Sequence, residues 1–371
     1  MPGGNTRSTI YVPPHPPYAA SGQGAVVIDE NGHSVLDCNN NYTSLIHGHA
    51  NAQVLDAAFS AARMGTAFGL PTKYEVDMAE CLAVRTGIEH WRFCNSGTEA
   101  VLMMLRAARA YTGRDVIIRF EGSYHGTGDD VADQTSPGIA VSAPQSVIVL
   151  PQGDLQALTS TLDRYGTTIA AILIDLMPNR AGLRPASPEF VRDLRKLADQ
   201  HGALLAIDEV ISLRLHWGGF HKHYGVEPDL VSAGKIMGGG FPAGALGGRE
   251  GILRKFRPGE PNPIVWGGTF TANPVTMAAG LKAMQLYDEA AVAALNTAGE
   301  RLRAQLQSAG IEATGFGSLL RLHVEDTKSL WWSLYNNGVL AGTNGLLSLS
   351  TAMTEDQLRQ VGEVVISCLN D

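Results

Sequence analysis

The feature that most constrains the fold is a change of hydrophobic period along one stretch of chain. A short apolar run over 169–174 gives way to a helical pattern over 188–200, and a second apolar run follows over 203–207. Runs this short suit strands buried on both faces. Between them Phe190, Val191, Leu194 and Leu197 recur at helical spacing, with Gly202 past the end as a stop signal. Strand, crossover helix and strand predict a βαβ unit within a mostly parallel sheet. Such crossovers are right-handed, and open sheets of this kind take ligands beyond the carboxyl ends of their strands. Asp175, Asp208 and Lys235 all fall at such ends.

Towards the C-terminus the pattern predicts a smaller α/β piece. A strand is expected over 346–349, and Thr354-Glu355-Asp356-Gln357 reads as a capping box opening a final helix that buries Leu358, Val361 and Val365. The expected division is an N-terminal segment over 1–45 joining the small domain, a large domain over 46–274, and a small C-terminal domain over 275–371. With 371 residues, 44% of them apolar, the chain can bury a substantial core. Its formal charge of −8 leaves no basic field for nucleic acid or an anionic membrane. Cys38, Cys81, Cys94 and Cys368 are scattered without metal-ligand spacing, which argues against a disulfide framework or a metal site. The opening Met1-Pro-Gly-Gly lacks signal-peptide regions and no apolar stretch is long enough for a bilayer, so a cytoplasmic location is expected.

Four places carry chemistry. Lys235 follows an apolar run and precedes Gly238, Gly239 and Gly240, where a partly buried amine can form a Schiff base with an aldehyde cofactor. Asp208 ends the strand over 203–207, and a buried carboxylate there can keep the ring nitrogen of pyridoxal phosphate protonated. Asn95-Ser96-Gly97-Thr98-Glu99 opens a helical run, offering hydroxyls and unpaired N–H groups to a phosphate. Tyr124-His125-Gly126 follows the strand Val116–Phe120, placing an aromatic ring where it can stack on a flat heterocycle. Taken singly, each also has a plain structural role: a solvated loop lysine, a helix-capping aspartate, an ordinary N-cap, a surface loop.

The ordered motifs NSGTEA, SYHG, DEV, GKIMGGG and GGTFTANP resemble those of class III pyridoxal-phosphate aminotransferases. The likeness is to the branch holding glutamate-1-semialdehyde aminomutase and the β-amino-acid aminotransferases. It implies an α/β fold of the pyridoxal-phosphate transferase fold type I, with a mostly parallel seven-stranded sheet and a smaller α/β domain built from both chain ends. The implied cofactor is pyridoxal 5′-phosphate, bound by Lys235 as Schiff base, Asp208 at the ring nitrogen, Ser96, Gly97 and Thr98 at the phosphate, and Tyr124 with His125 at the ring. Thr269 would reach the phosphate of a neighbouring subunit, making the enzyme a homodimer. Arg7, Tyr42 and Arg180 are the implied substrate-binding residues.

Departures from the family bear on substrate. Where many relatives carry Glu-Pro-x-x-Gly-Glu or -Asn, this chain reads Asp175-Leu-Met-Pro-Asn-Arg180, so a guanidinium replaces a Glu or Asn near the cofactor. Asn344 stands near the position of an arginine used by β-amino-acid aminotransferases. The stretches over 126–151 and 324–330 are shorter than in the aminomutase, whose lid must retain its intermediate. The resemblance therefore implies an aminotransferase moving an amino group between an acidic or non-α amino acid and a keto or aldehyde acceptor. The alternatives are a glutamate-1-semialdehyde-type 2,1-aminomutase and a cofactor-binding protein with altered or lost turnover.

Overall fold

A computed structural model describes residues 1–133, 135–140 and 143–370. The chain divides into two compact units. The smaller comprises Met1–Asp56, Gly182–Arg184 and Gln285–Asp371; the larger comprises Ala57–Ala181 and Pro185–Met284. The dividing points at 56/57 and 284/285 differ from the sequence-based 45/46 and 274/275. Both fall inside helices, Ala52–Met64 and Pro274–Leu286, so no Gly- or Pro-rich linker announces them.

The larger unit is built on a seven-stranded sheet. In chain order its strands are β1 (His90–Cys94), β2 (Val116–Phe120), β3 (Val147–Leu150), β4 (Ile169–Asp175), β5 (Leu204–Asp208), β6 (Leu230–Gly234) and β7 (Gly244–Gly248). Their spatial order is β1-β7-β6-β5-β4-β2-β3. Only β7 runs against its neighbours; the pairings from β6 through β3 are parallel. Every residue of β4, β5 and β6 is buried, as expected for strands covered on both faces.

Helix α1 (Gly97–Thr112) covers the sheet with Val101, Met104, Leu105 and Ala108, which pack with Ile117, Leu173, Ala206 and Leu246. Each large aliphatic side chain removed from water there contributes roughly 1.5–3 kcal/mol. The crossover helix α2 (Pro188–His201) forms where the sequence places it. Ser187 caps it by accepting from the Phe190 N–H, Pro188 fits the first turn, and Gly202 ends it in the left-handed conformation at φ 63°. Its buried face is Phe190, Val191, Leu194 and Ala198, while Leu197 is only half-buried.

Strand register sets the chemistry. Asp175 on β4 lies opposite Asp208 on β5, and Asp208 lies opposite Ser232 on β6. Three buried polar residues thus form one row at the carboxyl ends of the central strands.

In the smaller unit, Val339–Leu340 pairs in parallel with Ser34–Asp37, completing a four-stranded sheet from both ends of the chain. A second sheet joins Ala313–Phe316, Leu319–Leu322 and Leu346–Ser348. The last helix, Glu355–Asn370, opens with the expected capping box: Thr354 N–H donates to Gln357 Oε1 at 2.9 Å and Gln357 N–H donates to Thr354 Oγ1 at 3.2 Å. Among the described residues no helix is long and apolar enough to cross a membrane.

Candidate active site

Asp208 is the centre of the polar row. Its Oδ2 accepts from His125 Nδ1 at 2.7 Å, and its Oδ1 accepts from Ser232 Oγ at 2.8 Å and from the Val210 N–H at 3.1 Å. Burial alone would raise its pKa, but the His125 hydrogen bond and charge, with Ser232 and Val210, hold it below the usual carboxylate range. Asp175 behaves oppositely. Burial first, and the adjacent Asp208 charge second, push it up to about 7 against the pull of His125, the Met177 N–H and Lys235. Two carboxyl groups on neighbouring strands are thereby split into one held ionised and one that readily keeps its proton.

The start of α1 is brought against this row by missing side chains. A Cβ on Gly97 would come within 2.8 Å of Val210 Cγ1, and a Cβ on Gly126 would come within 2.6 Å of Thr98 Oγ1. Gly126 also has φ 106°, a backbone conformation that L side chains rarely adopt. The Ser96 hydroxyl is committed to capping, accepting from the Glu99 N–H at 3.2 Å, while Glu99 Oε2 accepts from the Asn95 N–H at 2.6 Å. The capping box and the anion site are compatible. The box occupies the Glu99 N–H and leaves the first-turn N–H groups of Gly97 and Thr98, which have no intrahelical acceptor, at a positive helix end.

Lys235 directly follows β6, half-buried, with φ 51°. A left-handed lysine is uncommon, and such residues concentrate where function requires them. Lys235 lies within electrostatic reach of buried Asp175. Tyr124 is 39% exposed, and the Arg180 guanidinium lies over its ring, 4.1 Å from the centroid. Thr269 is exposed on a turn, and a Cβ on its neighbour Gly268 would lie 3.8 Å from Asn95 Nδ2. The structure thus gathers Gly97, Thr98, His125, Gly126, Asp175, Asp208 and Ser232 in the larger unit. Ser232 escaped the sequence reading, although a hydroxyl inside an otherwise apolar buried strand was its signal.

Arg7 and Tyr42 belong to the smaller unit. Arg7 Nη1 donates to Asn41 Oδ1 at 2.6 Å, and its guanidinium lies 5.3 Å from the centroid of the Tyr42 ring. The Tyr42 hydroxyl donates to the Thr9 carbonyl and meets Thr343 Oγ1 at 3.2 Å. Asn40, Asn41, Tyr42 and Thr43 all have positive φ, between 48° and 75°. Four consecutive non-glycine residues in this region form a costly left-handed turn. Asn344 is half-buried, and its Oδ1 accepts from the Leu346 N–H at 3.3 Å. Of the shortened stretch over 126–151, positions 134, 141 and 142 lie outside the described residues.

These features fit pyridoxal phosphate on their own chemistry. A buried, ionised Asp208 suits a protonated ring nitrogen, and the α1 N-terminus suits a phosphate. The model for aminotransferase class-III matches residues 12–350. The β-phenylalanine transaminase of Variovorax paradoxus is 35% identical over 379 residues, covering 96% of this chain and 86% of that protein. A glutamate-1-semialdehyde 2,1-aminomutase from Methanothermobacter thermautotrophicus is 37% identical over 318 residues, covering 83% of this chain and 75% of that protein. The crystal structure of an omega-transaminase from Sphaerobacter thermophilus superposes with a TM-score of 0.96 at 39% identity, covering 100% of this chain and 94% of that one.

Proposed function

The chain belongs to the class-III aminotransferases and is a pyridoxal-phosphate-dependent aminotransferase, and from that premise we propose which residues do the work and on what. Pyridoxal phosphate, when bound, supplies an electron sink that makes a carbon-bound hydrogen of the substrate acidic. Asp208 holds the ring nitrogen in its protonated form, kept ionised by His125 and Ser232. Gly97 and Thr98 hold the phosphate through their N–H groups, with Ser96 fixing the helix end that presents them. Tyr124 lies against the ring. Lys235 anchors the cofactor, and its Nζ takes up and returns the proton that the substrate carbon loses. The observation that carries this assignment is the buried Asp208–His125 pair in register with Asp175, the carboxyl group in reach of Lys235.

The amino donor in this reading is an acidic or non-α amino acid, and the acceptor a keto or aldehyde compound. The Variovorax relative, a β-phenylalanine transaminase, supports a non-α donor. Arg7, Tyr42 and Arg180 are proposed to bind substrate. A homodimer is proposed as well, supported by exposed apolar side chains around Thr269. Phe68, Leu70, Val265 and Phe270 are each more than half exposed, and Asn273 Nδ2 ties their two segments together by donating to the Thr66 carbonyl at 2.7 Å. The location proposed is the cytoplasm.

The test is a panel of single amines added to the holoenzyme, following conversion of the cofactor absorbance to its pyridoxamine form. A β-amino acid should convert it faster than its α-isomer. A single substrate isomerised without any acceptor would instead establish the 2,1-aminomutase activity that the Methanothermobacter relative's name carries.

A further inference from the structure

Beside the Tyr124-His125-Gly126 loop the larger unit holds a cavity of about 630 Å³, a size that suits a small-molecule ligand. Its wall includes Arg119, Ser123, Tyr124, Thr127, Ser136 and Arg180. Arg119 is the unusual member. It sits on β2 among apolar neighbours, 7% exposed, and donates from Nη2 to the Ala132 carbonyl at 3.0 Å, while its Nε has no hydrogen-bond partner among the described residues. It makes no ion pair among the described residues. A guanidinium in so buried a place normally has a carboxylate or phosphate beside it, because an uncompensated charge out of water is costly. Buried Ser123, on the same wall, also has a hydroxyl without a partner among the described residues.

Arg180 adds a second positive group on that wall. It too makes no ion pair among the described residues and is held over the Tyr124 ring at 4.1 Å. Exposed Asp133 lies within electrostatic reach of both arginines, and exposed Glu121 is a second carboxylate on the wall, yet among the described residues neither acid forms an ion pair with Arg119 or Arg180, so both guanidinium forks are left to a ligand. The remaining polar lining is the exposed carboxylate of Glu121 and four hydroxyls, Ser123, Thr127, Thr135 and Ser136. Guanidinium forks suit a bidentate oxyanion, and hydroxyls can both donate to and accept from a hydroxylated chain.

We propose that this cavity binds an extended, oxygen-rich, anionic arm of the substrate, its terminal carboxylate or phosphate held between Arg119 and Arg180. The inference rests on the aminotransferase assignment above and deepens it, since it names the substrate class as a long hydroxylated acid rather than a simple amine. The step it assigns is recognition only; no bond is made or broken in the cavity.

The experiment compares paired amines in the holoenzyme half-reaction, each carrying a hydroxylated arm that ends in a carboxylate, a phosphate or a neutral amide. The wild-type protein should favour one of the two acids over the amide in kcat/KM, and which acid wins identifies the anion. In Arg119→Met that acid-to-amide ratio should fall roughly 10- to 100-fold, as for loss of a hydrogen bond to a charged group. Arg119→Lys should recover part of the ratio, because the charge returns without the planar fork. Glutarate and inorganic phosphate, as free probes, test binding separately: the matching one should raise Tm in the wild type and compete with the amine, and Arg119→Met should abolish that shift. A ratio unchanged in both variants, or equal losses on acid and amide, overturns the inference. So does a probe that raises Tm without competing with the amine, which would mark a separate ligand site. Failure of all three amines to convert the wild-type cofactor would instead strike at the aminotransferase assignment itself.

Discussion

The row around Asp208 and the turn around Tyr42 offer a contrast between two ways of building polar chemistry into one chain. In the row, Asp175, Asp208 and Ser232 sit on neighbouring buried strands locked in register. Both oxygens of Asp208 are engaged, and its charge is stabilised by three named donors. At the turn, Arg7 is exposed, rests on one asparagine oxygen and one ring, and is organised by four residues held in left-handed backbone. Burial and register preorganise the first region, which is what electrostatic work at a fixed cofactor atom requires. Backbone strain positions the second, leaving its charge in contact with water. Substitutions should therefore separate the two: large losses on every substrate from the row, smaller and substrate-dependent losses from the turn.

The largest effect should come from Lys235→Ala, which in the proposed assignment removes the anchor and the proton-carrying amine together. Half-reaction rates should fall by about 10³-fold or more, with loss of the visible absorbance of lysine-bound cofactor. A variant retaining near-normal rates would remove Lys235 from the chemistry and leave its left-handed backbone to be explained by folding alone. Asp208→Asn comes next, with an expected loss of about 10²-fold, since each pKa unit by which the ring nitrogen falls is worth about 1.4 kcal/mol. Cofactor should still bind, so absorbance and rate ought to separate in this variant. If they fall together, Asp208 is a structural residue and the contrast with the turn loses its chemical meaning.

Arg7→Ala should be milder and selective. One charge-assisted hydrogen bond to substrate is worth about 1.5–3 kcal/mol, and the exposure of Arg7 places the effect at the lower end. The loss should appear in kcat/KM for carboxylated amines and be absent for matched neutral ones. An equal loss on both would assign Arg7 to supporting the left-handed turn through Asn41 and Tyr42.

How far the two regions can be read from sequence follows the same physical division. Strand Val116–Phe120, the crossover helix and the capping box at Thr354 are local patterns, and they form where residue spacing places them. Asp208 was legible because a carboxylate at the end of an apolar strand is a local anomaly. Ser232 showed only a hydroxyl in an apolar run, and its partnership with Asp208 was not legible, because it depends on which strands become neighbours and in what register. The left-handed turn over 40–43 was equally hidden. Asparagine tolerates that backbone, but nothing in Asn40-Asn41-Tyr42-Thr43 forces four residues into it without long-range contacts such as Asn40 Nδ2 donating to the Ser348 carbonyl. The unit boundaries were illegible for a third reason, since helical periodicity runs straight through both.

A pH series sharpens the account of the row through Asp175. Its folded pKa, about 7, is raised above its unfolded value. The stability it contributes is therefore complete below the unfolded pKa near 4 and is lost as pH rises through about 7. Asp175→Asn, which keeps the shape and drops the charge, should thus gain on the wild type as pH rises, with the difference in Tm larger at pH 8 than at pH 5. A constant difference across that range would mean Asp175 titrates at an ordinary carboxylate pKa and is not the neutral partner of ionised Asp208.

The smallest expected effect belongs to Thr269, and it probes a group outside both regions. Thr269 is exposed on a turn whose neighbour Gly268 lies beside Asn95, the residue before the Ser96 cap. In the proposed dimer its hydroxyl donates to the phosphate held by the other subunit. Removing one such bond should weaken cofactor retention by about 0.5–1.5 kcal/mol if it behaves as a neutral hydrogen bond, and somewhat more towards a charged phosphate. The measurement is cofactor Kd for Thr269→Ala at protein concentrations above and below the dimer dissociation constant. If Thr269 acts across the interface, wild type and variant should differ only where dimer is present, because the monomer has no partner hydroxyl to lose. A difference that persists in the monomer would place Thr269 at the phosphate of its own chain, making cofactor binding independent of assembly.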